Sequence, residues 1–312
     1  MHYVGKSNKN TLTSHPTYQN HSQGYTQAAL VDHTTGSVHT GLGLHQLAAH
    51  GSLAPHVHSY EEGFYILAGQ AVVSINEQTY LVGPGDYGAI KVGTVHAWRN
   101  VGPVPVDWLQ MAAPQPKAHG KERDTFFLKD APIPSEAQPP DTWRPDNTSR
   151  PDNTSRPDST WRPASAGPLL GHFDVSQIPQ AAEGRSAGAG LPGVFLQWMI
   201  DEKLGARHHR MLFLEYQPGV SIGLHDHTFE EAYFILSGEV EATLDGERYL
   251  ARAGDVLWAG VGCVHAFANV GHEPVRWLET FSPQPPAENV FRFMAEWEQR
   301  ARGLEGSLGV NY

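Results

Sequence analysis

Residues 56–62 read His-Val-His-Ser-Tyr-Glu-Glu, and residues 225–231 read His-Asp-His-Thr-Phe-Glu-Glu, so one pattern occurs twice. The two copies are 169 residues apart. The same offset holds without insertion or deletion as far as residues 114–116 (Pro-Gln-Pro), which match residues 283–285 (Pro-Gln-Pro). Self-similarity at one fixed offset over such a span is the mark of a duplicated unit. The sequence therefore predicts two homologous domains.

The segments that follow these two stretches have the composition of β-strands. Residues 63–67 (Gly-Phe-Tyr-Ile-Leu) and 232–236 (Ala-Tyr-Phe-Ile-Leu) are rich in aromatic and branched side chains, and a glycine follows each. The chain has 32 glycines and 23 prolines but only 18% charged residues, which suits short strands joined by tight turns. Alternate residues of a strand face the same side, so both histidines of each His-x-His point together. An all-β fold is expected.

Three histidines and one glutamate recur in each copy. Imidazole nitrogen combined with carboxylate oxygen suits manganese, iron, zinc, nickel or copper, whereas calcium and magnesium prefer oxygen alone. The single cysteine, Cys263, has no counterpart in the first copy, so a thiolate site is not expected. Each copy is predicted to hold one divalent transition metal, with manganese or iron preferred and zinc, nickel or copper as alternatives. The predicted ligands are His56, His58, Glu62 and His96 in the first copy and His225, His227, Glu231 and His265 in the second.

These residues resemble the two motifs of the cupin superfamily, and the duplication resembles its two-domain members, the bicupins. The first motif, G-x5-H-x-H-x3-E-x6-G, is complete over residues 219–238, whereas in the first copy Gly51 stands one residue too close to His56. The second motif lacks its proline in both copies, where Lys91 and Gly260 stand instead. The resemblance implies two tandem jelly-roll β-barrels, each with a metal inside and a mouth that admits small molecules.

Composition also divides the chain. Residues 1–131 are assigned to an N-terminal barrel and residues 167–312 to a C-terminal barrel. Between them, residues 132–166 repeat the hexapeptide Arg-Pro-Asp-Asn-Thr-Ser with a proline in each copy and no apolar period, which predicts a disordered or extended linker. Apolar residues recur at helical spacing over residues 287–302, so a C-terminal helix packed on a barrel is expected.

Charge and hydropathy exclude several partners. The net charge of -11, without a basic run, argues against nucleic acid and against an anionic membrane surface. The sequence shows neither an apolar run long enough to span a membrane nor a hydrophobic leader, so no membrane partner is expected and a cytoplasmic location is the default. The expected partners are a small-molecule substrate, O2 in the case of an oxygenase, and a second copy of the chain in a homo-oligomer.

The pocket walls are expected to decide the reaction, because the two ligand sets are alike. Large side chains at inward-facing strand positions predict an apolar chamber around each metal. Among the differences between the copies, Gln110 in the first corresponds to Glu279 in the second. The candidate pocket residues are Phe64, Ile66 and Trp98 in the first copy and Tyr233, Ile235 and Phe267 in the second.

Three functions are compatible with such a site. The leading prediction is an Fe(II)- or Mn(II)-dependent dioxygenase, an oxidoreductase in which a small oxygenated substrate chelates the metal and Glu62 or Glu231 acts as base. The second is a non-oxidative metal enzyme, namely a decarboxylase, an isomerase or an aminohydrolase like the bicupin ureidoglycine aminohydrolases. The third is a metal-dependent small-molecule binding protein without turnover.

Overall fold

The computed structural model describes residues 1–76, 78–117, 124–129, 170–178, 192–284 and 292–294. Most of these residues lie in antiparallel strands, which confirms the predicted all-β fold. Within the described ranges, no helix is long and apolar enough to cross a membrane.

The first half of the chain forms one large curled sheet. The strands up to this point of the chain are β1 (His2–Lys6), β2 (Ser22–Val31), β3 (Gly41–His58), β4 (Glu61–Ala68), β5 (Ala71–Ile75), β6 (Gln78–Val82), β7 (Asp86–Ile90), β8 (His96–Arg99), β9 (Val106–Ala113), β10 (Thr125–Phe127) and β11 (Leu170–His172), with a 3₁₀ turn at Lys9–Thr11. All of them except β1 belong to this sheet, whose spatial order is β11-β7-β4-β9-β3-β8-β5-β6, with β2 and β10 also paired with β3. The long strand β3 runs through both walls of the barrel, because its first part pairs with β9 and its last part with β8.

The second half forms two curled sheets. The strands are β12 (Val194–Ile200), β13 (Arg210–Tyr216), β14 (Ser221–Asp226), β15 (Glu230–Ser237), β16 (Glu239–Leu244), β17 (Glu247–Arg252), β18 (Asp255–Ala259), β19 (His265–Ala268), β20 (Val275–Ser282) and β21 (Arg292–Phe293), with a 3₁₀ turn at Val175–Gln177. The spatial orders of the two sheets are β1-β18-β15-β20-β13-β12 and β17-β16-β19-β14-β21. The two halves thus form the two jelly-roll barrels that the sequence predicted.

The irregular spacing of Gly51 has a structural explanation. Gly219 takes a left-handed φ of 79° in the break between β13 and β14, a conformation that glycine adopts without steric cost. At the corresponding position of the first barrel His50 takes the same conformation, with a φ of 58°. The turn is therefore kept in both barrels although its glycine is not.

The two barrels exchange strands. β1, from the start of the chain, pairs with β18 of the second barrel, where His2 faces Ala259 and Lys6 faces Asp255. β11, which precedes the second barrel, pairs with β7 of the first. Each barrel therefore has an edge strand from outside its own half. The proposed boundaries at residues 131 and 167, and the predicted linker between them, lie outside the described residues.

Three apolar clusters account for the core. One fills the first barrel and contains Trp98 and Trp108, and a second fills the other barrel around Trp277. The third draws on both halves, for example Met111 from β9 and Phe213 from β13. Fully burying a large apolar side chain contributes about 1.5–3 kcal/mol. The contact between the barrels is therefore a hydrophobic core in its own right.

The predicted helix over residues 287–302 is wrong at residues 292–293, which form β21 and pair with His225 and Asp226. Phe293 is one of the apolar residues in this range, yet its ring lies 5.3 Å, centroid to centroid, from the ring of His225. Pairing with the open edge of β14 satisfies backbone groups that a periodicity of side chains does not reveal. The rest of the predicted helix, apart from Met294, lies outside the described residues.

A buried histidine makes the first barrel sensitive to acid. His45 bonds Tyr25 Oη at 2.6 Å, and burial lowers its pKa from 6.5 to about 4. Below pH 6.5 the unfolded chain binds a proton here that the folded chain does not, so stability falls between pH 6.5 and 4, by up to about 3 kcal/mol. We expect His45→Leu, which copies Leu214 of the second barrel, to flatten this part of the stability profile. Urea unfolding at several pH values measures it, and an unchanged slope would contradict the assignment.

Candidate metal centres

The first centre lies where β3, β4 and β8 meet. His56 and His58 stand at the end of β3, and His96 begins β8 directly opposite His56. One nitrogen from each of these three buried histidines lies within 4.8 Å of the others. Glu62, from β4, points its Oε2 at the group, 3.1 Å from His58 Nε2 and 3.5 Å from His96 Nε2. The structure thus brings all four predicted ligands together.

The second centre has the same four ligand types, but the three ligands that lie closest together, the compact trio, are a different set. Ligand atoms of His227, Glu231 and His265 lie within 4.8 Å of one another. Glu231 Oε2 is 2.8 Å from His227 Nε2 and 3.2 Å from His265 Nε2. His225 stands at the edge of this trio, opposite His265, with a ring centroid distance of 4.2 Å. All four predicted ligands again converge.

The outer nitrogen of every predicted histidine ligand is held by a hydrogen bond. In each ring Nδ1 lies 2.7 to 3.0 Å from a protein oxygen, so Nε2 is left to face the interior of the barrel. Such partners fix the ring orientation of metal ligands. The partners are the Ala54 carbonyl for His56, the Thr125 hydroxyl for His58, the Thr94 carbonyl for His96, the Gly223 carbonyl for His225, the Phe229 carbonyl for His227 and the Cys263 carbonyl for His265.

The donor set fits a divalent transition metal. Glu62 Oε1 and His96 Nε2 are buried and make no hydrogen bond with any residue the structure describes. A buried polar atom without a partner costs about 1–3 kcal/mol, which a bound cation would offset. Three imidazoles with one carboxylate are the ligands that manganese, iron and their neighbours accept. A divalent metal in each barrel is thus consistent with the geometry.

Burial sets the charge state of these groups. It lowers the pKa of His56 well below its usual range and that of His225 to about 4, so both rings are neutral at pH 7. Although burial opposes ionisation, the adjacent imidazoles of His58 and His96 keep the pKa of Glu62 below its usual range. Neutral imidazole and ionised carboxylate are the forms that bind a metal.

His265 departs from this pattern. Although burial opposes its protonation, hydrogen bonds with Cys263 and Glu231 raise its pKa to about 10. A metal ion at the second centre therefore competes with a proton on this ring, so its binding is coupled to proton release.

The second centre also has polar neighbours that the first lacks. The Tyr233 hydroxyl donates to Glu231 Oε2, and Trp277 Nε1 donates to Glu279 Oε2 at 3.0 Å. Burial and the adjacent Glu231 carboxylate raise the pKa of Glu279 well above its usual range. The corresponding residues of the first barrel are Phe64, Gln110 and Trp108. The sequence alone shows that position 279 differs between the copies, but it does not show that the Glu279 carboxyl lies against the ligand Glu231.

The six predicted pocket residues lie in the two barrel interiors. The ring centroids of Phe64 and Trp98 are 5.0 Å apart, and those of Tyr233 and Phe267 are 4.8 Å apart. Their contact with a substrate stays a prediction. All six side chains are buried, namely Phe64, Ile66, Trp98, Tyr233, Ile235 and Phe267.

A short strand covers each centre. Phe127 of β10 pairs with His56, and Phe293 of β21 pairs with His225. The ring centroids are 5.4 Å and 5.3 Å apart. Sequence comparison missed this correspondence, because the two phenylalanines are 166 residues apart and so depart from the common offset.

A cavity of about 840 Å³ lies beside the first centre. Tyr18, Tyr60 and Thr125 are among its lining residues, and none of the eight predicted ligands is. Thr125 bonds His58 Nδ1 at 3.0 Å, and the ring of Tyr60 stacks on His58. The cavity therefore borders residues that support His58.

A third group of metal-ligand residue types comprises His2, Asp245 and Cys263, whose ligand atoms lie within 4.8 Å of one another. His2 already bonds Asp245 through Nδ1 at 3.3 Å and Tyr249 Oη through Nε2 at 2.9 Å. Asp245 also pairs with the amino group of Met1 at 2.6 Å. These contacts account for the group without a metal.

Similar solved structures share the double-barrel fold. A Lactobacillus farciminis oxalate decarboxylase in complex with formate has a TM-score of 0.64 and 15% identity, covering 99% of this chain and 94% of that one. A mutant Bacillus subtilis oxalate decarboxylase has a TM-score of 0.62 and 16% identity, with coverages of 99% and 84%. At this identity the likeness shows the fold alone.

One protein-family model matches both halves of the chain. A Streptomyces cyaneus protein named polyketide synthase CurC is 35% identical over 75 residues, which is 24% of this chain and 49% of that protein. The match thus spans about half the length of that relative. The family model for the cupin domain matches residues 43–111 and again residues 212–281. With one cupin domain in each barrel, the chain belongs to the cupin superfamily and is a bicupin.

Proposed function

We propose that this bicupin is a metal-dependent enzyme that acts on a small, oxygen-rich organic acid in its second barrel. The observation that carries the proposal is the buried acid Glu279, which stands against the ligand Glu231. An acid of raised pKa beside a metal ligand is an arrangement that favours catalysis. The first barrel has Gln110 at this position and so lacks the acid.

His225, His227, Glu231 and His265 would hold the metal of the reactive centre. A divalent manganese or iron ion bound there would supply Lewis-acid chemistry, polarising a carboxylate or enolate oxygen of the substrate. Zinc, nickel and copper also accept these ligands. Oxalate, the acid named in the structural relatives, belongs to this class and is the first compound to test.

Glu279 is the proposed proton donor. Its carboxyl group is kept protonated by burial and by the charge of Glu231, while Trp277 Nε1 fixes its Oε2. Tyr233 donates to Glu231 and thereby holds the ligand carboxylate in place. When a keto or enol acid loses CO2, the electron pair of the broken C–C bond stays on carbon, and Glu279 gives that carbon its proton. The site then recovers a proton from water.

A positioned acid favours a non-oxidative reaction of the decarboxylase or isomerase class, since such reactions end in protonation of carbon. The predicted dioxygenase is the second candidate, because a site with four protein ligands leaves positions for both substrate and O2. The two candidates differ in their need for O2. Cytoplasmic location and homo-oligomer formation stay predictions.

Turnover with and without O2 separates the two classes. The purified protein, loaded in turn with Mn(II), Fe(II) or Zn(II), is given oxalate, keto acids, diketones and phenolic enols. The proposal expects CO2 release or isomerisation at the same rate under argon as in air. Substrate-dependent O2 consumption with no anaerobic turnover would establish the dioxygenase instead. Tight binding of one compound without turnover in either atmosphere would establish a binding protein.

We expect Glu279→Gln to lower kcat by about 100-fold, because general-acid catalysis contributes about 10²–10⁴-fold. The change copies Gln110 of the first barrel and keeps the side-chain shape. Metal content by elemental analysis should stay at the level of the parent protein. Glu241→Gln, which removes an exposed ion pair with Arg248, is the control for loss of a carboxylate. Equal activity of Glu279→Gln and the parent would remove Glu279 from the mechanism.

A further inference from the structure

A second buried glutamate stands beside each glutamate ligand. Glu61 precedes Glu62 at the first residue of β4, and Glu230 precedes Glu231 at the first residue of β15. Neighbouring side chains of a strand point to opposite faces. The ligand carboxylates therefore point into the barrels, and Glu61 and Glu230 point out of them, towards the opposite barrel.

Glu61 is held by a loop of the second barrel. Its Oε2 accepts the backbone N–H of Arg207 at 2.8 Å, and its Oε1 accepts the N–H of His208 at 3.0 Å and of His209 at 3.3 Å. The ring of His209 adds a fourth bond from Nδ1 at 2.8 Å. Only 1% of the Glu61 surface is exposed, so these donors replace water around its charge.

Glu230 is held by the matching loop of the first barrel. Its oxygens accept the backbone N–H groups of Val38 at 2.8 Å and of His39 and Thr40 at 3.1 Å. The hydroxyl of Ser37 donates at 2.6 Å, and Trp258 Nε1 donates at 3.4 Å.

The two loops correspond at the offset of the duplication. Residues 38–40 correspond to residues 207–209. Each loop therefore grips the glutamate that stands next to the ligand of the other barrel, and the contact is reciprocal. Successive backbone N–H groups that converge on one carboxylate form an anion-binding nest.

We infer that Glu61 and Glu230 are positioning residues that make each metal centre depend on the opposite barrel. Each ligand glutamate is the second residue of its strand, close to the end, where backbone pairing holds least well. Metal–ligand distances are met only within about 0.2 Å. Anchoring the preceding carboxylate through four or more donors fixes the strand end and with it the ligand. The inference rests on the proposed metal binding.

The test measures the affinity of each centre separately. His265→Ala leaves the first centre as the intact one, and His96→Ala leaves the second. Metal-free samples of these two parents are titrated with Co(II), whose visible absorption reports both affinity and ligand geometry. Glu61→Gln is then added to the first parent and Glu230→Gln to the second, and each is also placed in the opposite parent.

We expect Glu61→Gln to weaken Co(II) binding about 10- to 100-fold at the first centre and to leave the second unchanged, since loss of an outer partner has an effect of this size. Glu230→Gln should show the reverse. The amide keeps the shape of the side chain but turns an NH2 group towards N–H donors. The control is Glu215→Gln, which removes a buried glutamate paired with Arg276 at 2.6 Å and should alter neither affinity.

Each outcome of the Co(II) titrations leads to one conclusion. If the two parents fail to bind Co(II), the proposed metal function is wrong. If the parents bind and the glutamine variants bind equally well, or if both variants and Glu215→Gln weaken both centres alike, the positioning role is overturned. Should Glu230→Gln not fold, Ser37→Ala removes one donor on Glu230, and it should weaken the second centre by a smaller factor with an altered Co(II) spectrum. An unaltered spectrum and affinity would overturn the inference.

Discussion

Replacing His227 by alanine is expected to remove metal from the second centre and to lower turnover roughly 1,000-fold, since a bound metal contributes several kcal/mol to catalysis. His227 Nε2 faces Glu231 at 2.8 Å, and its Nδ1 bonds the Phe229 carbonyl at 2.8 Å. Elemental analysis should show about half the metal of the parent protein, and steady-state kinetics gives the loss of activity.

His58→Ala is the matched variant in the first barrel. It should remove the same share of metal, because His58 has the corresponding position on β3 and the same approach to a glutamate ligand. Its effect on turnover is expected to be the smaller of the two. An equal or larger loss in His58→Ala would move the reaction to the first barrel or to both, and it would contradict the role given to Glu279.

Gly63→Ala is expected to destabilise the contact between the barrels by about 2 kcal/mol, within the range for overpacked cores. An added Cβ would overlap Nε2 of His209 and lie 3.0 Å from Cδ1 of Ile200. The His209 ring cannot turn away without giving up its bond to Glu61. Urea unfolding measures the loss.

The other half of the chain shows which second substitution should relieve the clash caused by Gly63→Ala. In the other half, Ala232 takes the place of Gly63, and Thr40 takes the place of His209. The double variant Gly63→Ala/His209→Thr copies that pairing and should recover about half of the lost stability. Gly223→Ala, on a strand with open space around the added Cβ, is the control and should change stability little. Equal destabilisation by Gly63→Ala and Gly223→Ala would rule out the clash.

The duplication explains why so much of the fold could be predicted from the sequence. One fixed offset placed all eight proposed ligands, and strand alternation turned each His-x-His into a pair that faces inward. Both arguments use only positions along the sequence. Reasoning of the same kind failed at Phe293, whose helical spacing is overridden by pairing with β14.

What sequence reasoning missed are contacts between distant segments. The Glu-Glu pair at residues 61–62 gives no sign that the first carboxylate belongs to a loop near residue 208. In the same way, nothing in β1 shows that it pairs with β18, about 250 residues further on. The difference between Gln110 and Glu279 was visible, but its chemistry depends on a contact with Glu231 that only the folded barrel provides.

The strand exchange and the reciprocal glutamate contacts share one symmetry. The segment before each barrel joins the edge of the other, at β18 in one case and at β7 in the other. An isologous homodimer has this geometry, because its two-fold axis makes every contact occur twice. In this chain both halves of that arrangement lie in one polypeptide. The two copies can therefore differ at positions such as 110 and 279, which two identical subunits cannot do.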